Sequence, residues 1–329
     1  MSSVISVAIH SSQFTENVRR DLLKSLRRRQ VNHKFLYDSF KQTQKWLALH
    51  EAFSPARTDK NCADTYEKSF AAAIKRITTP KIHLIGLGCG GGQKDVRLLR
   101  LLKEQGEEVS YSPCDVSTAM VLTAQQTVAK IVTNKKCLPF VFDLATAKDL
   151  PEIFEQQIPK DATRLITFFG MIPNFEPQII LPKLAALLRP KDFLLFSANL
   201  APGKNYQKGV KKILPLYDNT LTRDWLLTFL FDLGVERDDG KLKFGIENCP
   251  AKTGLKRVAA YFHFKKTCCI KIDEEEIKFQ SGESIRLFFS YRYTPEKTRM
   301  ILAEHNLLTL DEWITDSGEE GVFICRPAR

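Results

Sequence analysis

Between residues 81 and 201 the sequence alternates five short apolar runs with amphipathic stretches, and this rhythm leaves few folds open. The runs lie at 82–85, 109–112, 138–142, 165–169 and 193–197. Between them DVRLLRLLKEQGEE, STAMVLTAQQTVAKIV, LPEIFEQQ and LPKLAALL carry apolar residues at helical spacing. Strands that are each followed by a helix cannot pair through tight hairpins. They form a mostly parallel sheet covered by helices, an α/β, Rossmann-like layer structure.

The flanking segments read differently. Residues 12–78 are helical in pattern, with one break at Phe53-Ser54-Pro55, where proline restricts the residue before it. After Ala201-Pro202-Gly203 the alternation stops. A helix around 225–233, a turn-rich charged stretch and strand-like KRVAAYFHF, CCIKI and SIRLFFSYRY follow. The last forty residues give a helix at 295–305 and a closing strand at 321–325 that could rejoin the sheet at its edge. The expected organisation is therefore a main domain over 1–203 with a helical preface, a smaller α+β insertion over 204–287, and a return to the main domain over 288–329.

Composition removes several classes. At 329 residues and 43% hydrophobic content the chain can build a real core. No stretch approaches the roughly 20 apolar residues of a spanning helix, and MSSVISVAIHSSQ lacks the features of a signal peptide, so a soluble cytoplasmic protein without a membrane partner is expected. Cysteines 62, 89, 114, 137, 249, 268, 269 and 325 show neither zinc spacing nor disulfide density, which implies reduced thiols and no metal. The net charge is +11, and RRDLLKSLRRRQ concentrates six positive charges. No aromatic-interleaved basic patch accompanies it, so a solvated helix face is expected rather than a nucleic-acid site.

The first apolar run leads into IHLIGLGCGGGQKD, with Gly86, Gly88, Gly90, Gly91 and Gly92 between a strand and a helix. Backbone there can turn tightly and approach a ligand without Cβ obstruction. Gly86, Gly88 and Gly91 also satisfy the dinucleotide pattern, so the glycines alone leave nicotinamide and S-adenosylmethionine both open. The second strand ends in YSPCDVS, where Asp115 can accept from both hydroxyls of a ribose or cap the following helix. The third ends in VFDLA, where Asp143 can accept from an adenine amine and Leu144 can contact the ring. A glycine loop and acids after successive strands outline S-adenosylmethionine along one sheet edge, favouring methyl transfer over hydride transfer.

At the fourth strand TFFGMIPNFEP resembles the Gly-x-x-x-Gly-Asn segment of the histidine-specific Nα-methyltransferases of ergothioneine biosynthesis, with proline in place of the second glycine. KFLYD and EAFSPARTD resemble that family's Phe-Tyr-Asp and Glu-Tyr-Tyr-Pro-Thr-Arg-Thr-Glu segments. LPLYDNTLTRDWLLTFLFDLG, KRVAAYFHF and SGESIRLFFSYRY extend the likeness from about residue 34 to the C-terminus. The resemblance implies a class I methyltransferase core with a substrate-binding α+β domain. It implies that Gly86, Gly88, Asp115, Asp143 and Leu144 contact the cofactor, as does Tyr37, which lies close to the active centre. It also implies that Asn174 and Tyr217 hold the amino and carboxylate groups of an amino acid and act as the catalytic positioning residues. The bland alternatives are a helix cap for Asn174 and a core role for Tyr217.

The departures bear on the substrate. The acid of the family's Glu-x-Ser is Phe288 here, with Ser290 retaining the hydroxyl. Phe53 or Ser54 replaces the second tyrosine of the Tyr-Tyr-Pro segment, and Ala260 replaces a methionine. Phe53, Ala260, Phe288 and Ser290 with Asn174 and Tyr217 therefore form the expected pocket, roomier and less polar than an imidazole site. The expectation is N-methylation of an apolar or aromatic amino acid, or a related small amine, in preference to histidine. The rivals are histidine methylation proper, an RNA methyltransferase using the basic run, and a degenerate protein that binds cofactor without turnover.

Overall fold

The computed structural model describes residues 4–251 and 253–328. In chain order its strands are β1 Ala8–Ile9, β2 Lys81–Leu87, β3 Glu108–Asp115, β4 Phe140–Val141, β5 Thr163–Phe168 and β6 Phe193–Asn199. There follow β7 Gly240–Asn248, β8 Lys256–Phe264, β9 Cys268–Ile272, β10 Glu275–Phe279, β11 Ser284–Arg292, β12 Leu307–Ile314 and β13 Glu320–Pro327. The chain divides into two compact units, one of residues 1–13, 55–200 and 293–329, the other of 14–54 and 201–292. Sequence placed the corresponding breaks at 203/204 and 287/288, and grouped residues 14–54 with the main domain.

The first unit holds an eight-stranded sheet in the order β1-β4-β3-β2-β5-β6-β13-β12. Strands β1 to β6 run parallel, and β13 pairs antiparallel with both β6 and β12. After β1 at one edge, the chain enters at β2 in the middle, steps outward through β3 and β4, then crosses to β5 and β6 on the other side. Helices Gln93–Glu104, Thr118–Val128, Leu150–Gln157 and Pro177–Ala186 make the crossovers. The β2 strand is buried from its second residue onward, as a central parallel strand covered on both faces must be. Leu84, Val109 and Leu165 of the sheet pack with Leu98, Leu99 and Leu102 of the first crossover helix. The mostly parallel α/β reading is thus correct. The closing strand does not form the edge, however; β12 lies outside it and was not anticipated, since its Leu307-Leu308-Thr309-Leu310 start followed directly on a helical pattern.

The second unit has a three-stranded antiparallel sheet, β11-β8-β7, and a separate hairpin of β9 and β10. Helices Thr15–Arg27, Phe40–Phe53, Tyr206–Tyr217 and Thr220–Asp232 belong to it. Alternate residues Ala260, Phe262 and Phe264 of β8 enter a core with Leu226, Phe229 and Leu230. The turn-rich charged stretch contains β7, whose Leu242, Phe244 and Ile246 alternate with lysine and glutamate.

The basic run, expected as a solvated helix face, spans the first of these helices and the two residues after it, and half of its charges engage one hairpin within the unit. Arg19 donates to Asp273 at 2.6 Å, and Arg27 to Glu275 at 2.7 Å. Arg29 donates to the Lys278 carbonyl at 2.6 Å and covers the Phe279 ring at 3.9 Å. Three of the six cations thus fasten the β9–β10 hairpin. Among the described residues no helix is long and apolar enough to cross a membrane, and no group of acids, histidines and cysteines could hold a metal ion.

Candidate functional site

The glycine run connects β2 to the helix Gln93–Glu104, and three of its members take left-handed backbone: Gly88 at φ 63°, Gly90 at 51° and Gly92 at 75°. A Cβ on Gly92 would lie 3.0 Å from the Ala124 Cα, so the loop also packs too closely on the next helix for a side chain. A Cβ on Gly88 would meet the Met171 side chain at 2.6 Å. Gly88 thus faces the segment after β5 across the sheet edge. The space beside Gly86 is filled otherwise. A Cβ there would lie 2.1 Å from an oxygen of Asp95, a buried carboxylate that accepts from the hydroxyls of Tyr111 at 2.7 Å and Thr167 at 2.8 Å. Burial raises the Asp95 pKa, against the pull of those two donors.

Asp115 closes β3 and reaches back to the loop. It accepts from the Gly90 amide at 3.2 Å and the Ser117 amide at 3.1 Å. The helix Thr118–Val128 is capped by Ser117, not by Asp115, which sets the capping alternative aside. Burial pushes the Asp115 carboxyl up to about 6, with the amides of Ser117, Gly90 and Val116 opposing.

Asp143 follows β4 and is buried. Its amide donates to the Ser12 hydroxyl at 3.0 Å, and its carboxylate accepts from the Ala145 amide at 2.9 Å. Leu144 beside it is buried. Val141 of β4 pairs in register with Asp115, so both acids stand at the carboxyl edge of neighbouring strands. After β5, Gly170 at φ 70° donates its amide to Ser197 at 2.9 Å and turns the chain into the 3-10 segment Ile172–Asn174. Asn174 is half-buried and its amide donates to Met171. The next helix is capped at Glu176, so Asn174 is not a helix cap.

Lys94 is among the residues that escaped the sequence reading. Lys94 stands in the first turn after the glycines, donates to the Tyr66 hydroxyl at 2.7 Å, and lies 3.9 Å from Glu320 and 4.1 Å from the Tyr66 ring centre. Tyr66 in turn donates to Glu320. Burial lowers the Lys94 pKa, with Glu320 opposing. The signal was the Gln-Lys-Asp that ends the glycine run.

In the second unit the structure joins Tyr217, Ser290, Phe288 and Ala260. The Tyr217 hydroxyl donates to Ser290 at 2.7 Å and accepts from Arg292 at 2.7 Å. Phe288 pairs across the sheet with Ala260, and both are buried. The Phe288 ring sits 6.0 Å from Tyr217, 5.8 Å from Trp225 and 5.7 Å from His33. Tyr37 extends this group: its hydroxyl is 3.0 Å from His33 Nε2, and its ring packs on Trp225 and Trp46. Desolvation lowers the His33 pKa to about 3, so the imidazole is neutral and can accept the Tyr37 proton. Phe53 does not join; at the end of its helix it is 54% exposed, while Ser54 is buried.

Residues 16–327 match the model of a family described as histidine-specific methyltransferase, SAM-dependent. No curated protein matches the chain. Among solved structures, an S-adenosylmethionine-dependent methyltransferase from Clostridium acetobutylicum ATCC 824 is 12% identical with a TM-score of 0.48, over 87% of this chain and 99% of that one. Magnesium protoporphyrin IX methyltransferase from Synechocystis PCC 6803, with bound S-adenosylhomocysteine, is 13% identical with a TM-score of 0.46, over 88% and 96%. A Burkholderia thailandensis 1,6-didemethyltoxoflavin-N1-methyltransferase is 10% identical with a TM-score of 0.43, over 87% of each chain. At that distance the architecture is defined by the strand order itself.

Proposed function

The chain belongs to the histidine-specific, S-adenosylmethionine-dependent methyltransferases, and from that premise we propose that it methylates the α-amino group of an amino acid with an apolar or aromatic side chain in preference to histidine. The observation that carries the substrate preference is Phe288. Where the family resemblance expects a carboxylate for an imidazole, a buried phenyl ring packs among Tyr217, Trp225 and His33, opposite the small Ala260. An imidazole N–H brought there would exchange water for rings.

The residues at the sheet edge fit S-adenosylmethionine: the left-handed glycines leave open backbone, and the Asp115 carboxylate lies against the Gly90 amide. When bound, that cofactor supplies an electrophilic methyl group on a sulfonium. Asp115 would hold the ribose hydroxyls, Asp143 the adenine amine and Leu144 the ring face. Gly86 would act through its fit to Asp95, keeping β2 close to the buried carboxylate. Lys94, a cation beside the loop, suits the carboxylate of the cofactor's amino-acid end.

The protein's own task is then positional. As the resemblance implies, Asn174 is assigned to the substrate's amino group and Tyr217 to its carboxylate. The amine must be neutral to attack, and the Tyr37 hydroxyl, hydrogen-bonded to the neutral His33, offers an oxygen that can accept from it. Titration calorimetry in the presence of S-adenosylhomocysteine checks the preference: tryptophan, tyrosine or phenylalanine should bind more tightly than histidine, and tight binding of histidine alone overturns it.

A further inference from the structure

Beside the aromatic group, behind Tyr217 and Ser290, stands Arg292, to which the resemblance assigns no role. Phe288, Ser290 and Arg292 occupy alternate positions on β11 and so share one face of the strand. Ser290 is 1% and Arg292 7% exposed. The Arg292 backbone is pinned where it stands: its carbonyl accepts from the Tyr206 hydroxyl at 2.7 Å, and that hydroxyl accepts from the Lys256 amide at 2.6 Å.

Counting protons shows what the trio offers. A guanidinium only donates, so the bond from Arg292 to the Tyr217 oxygen uses an arginine proton. The bond between Tyr217 and Ser290 uses one hydroxyl proton. Two hydroxyls therefore carry one proton more than their bonds consume, whichever of them donates to the other. Among the described residues, the Ser290 hydroxyl has no hydrogen-bonding partner besides Tyr217. A buried hydroxyl proton without an acceptor is costly, and here a guanidinium charge lies behind it. The complementary ligand atom accepts hydrogen bonds and carries negative charge.

We propose that Arg292, through Tyr217 and Ser290, makes this the seat of the substrate's carboxylate. Arg292 is then a specificity-determining residue that restricts the enzyme to amino acids and excludes the corresponding decarboxylated amines. This rests on the reading of the chain as an amino-acid methyltransferase, and narrows it.

The test is calorimetric binding of matched pairs, tryptophan with tryptamine and tyrosine with tyramine, to wild type, Arg292→Met and Arg292→Lys, in parallel with product detection by mass spectrometry. Wild type should bind each acid at least about tenfold more tightly than its amine. Arg292→Met should remove most of that ratio, and Arg292→Lys should restore a large part of it. Cofactor affinity, measured on the same samples, should be unchanged in both variants. Equal binding of acid and amine to wild type overturns the inference, as does a parallel loss for acid and amine in Arg292→Met, which would mean that Arg292 only supports the Tyr217 ring. These outcomes are separable from failure of the underlying reading. Carboxylate-selective binding without methylated product would leave the carboxylate seat standing and remove the proposed reaction, whereas methylation of acids and amines alike would do the reverse.

Discussion

Asp115 links the glycine loop to a measurable property. Its carboxyl is raised to about 6 by burial, and a ribose hydroxyl is best held by the ionised form. Cofactor affinity is therefore expected to fall as pH drops through about 6 and to level off above about 7. For the cofactor-free protein the sign is opposite: the raised acid favours the folded state at low pH, and that contribution is lost as pH rises through about 6. Asp115→Ala should weaken S-adenosylhomocysteine binding by at least about tenfold and flatten its pH dependence between 5 and 7. A pH dependence that survives the substitution would assign it to another group. Asn174→Ala should reduce amino-acid affinity by about tenfold with cofactor affinity retained, both read by calorimetry. Equal loss of both ligands would point to misfolding instead. The positions of Asp115, Asp143 and Asn174 after β3, β4 and β5 were legible because each follows an apolar run. The contacts of Lys94, Asp95 and Arg292 were not: the Gln-Lys-Asp after the glycines marks the first two only by position, and an arginine at a strand end has no distinguishing local pattern. Their roles come from partners such as Glu320, Tyr111 and Tyr217, distant in sequence.

At the scale of elements, the loop after β2 is the part least able to accept a side chain. Gly92→Ala places a Cβ on a left-handed residue and against the Ala124 backbone, so we expect a loss of about 1–3 kcal/mol of stability, read as a lowered Tm, together with weaker cofactor binding. Wild-type stability in this variant would contradict the packing described. The five central strands could be read from sequence because burial on both faces makes them continuous apolar runs. The strands β7 and β12 were lost for the opposite reason: each is partly exposed, so its apolar residues are diluted by charges. The basic run was expected to be a solvated helix face, but Arg19, Arg27 and Arg29 meet Asp273, Glu275 and the Phe279 ring of one hairpin, contacts that composition cannot show.

For the whole molecule, the chain's division differs from a simple insertion. Residues 14–54, which follow the first strand in sequence, belong with 201–292, so the second unit is assembled from two distant segments. Helical pattern alone carries no information about which core a helix joins, and the preface was therefore grouped by sequence proximity. Membership of the family gives methyl transfer from S-adenosylmethionine, and the substrate preference we propose for this member rests on the aromatic group around Phe288. The most direct test is mass spectrometry of the products formed when the enzyme and S-adenosylmethionine are incubated separately with histidine, tryptophan, tyrosine and phenylalanine. The account predicts an Nα-methylated aromatic amino acid formed faster than any histidine product; methylated histidine as the only product would contradict it.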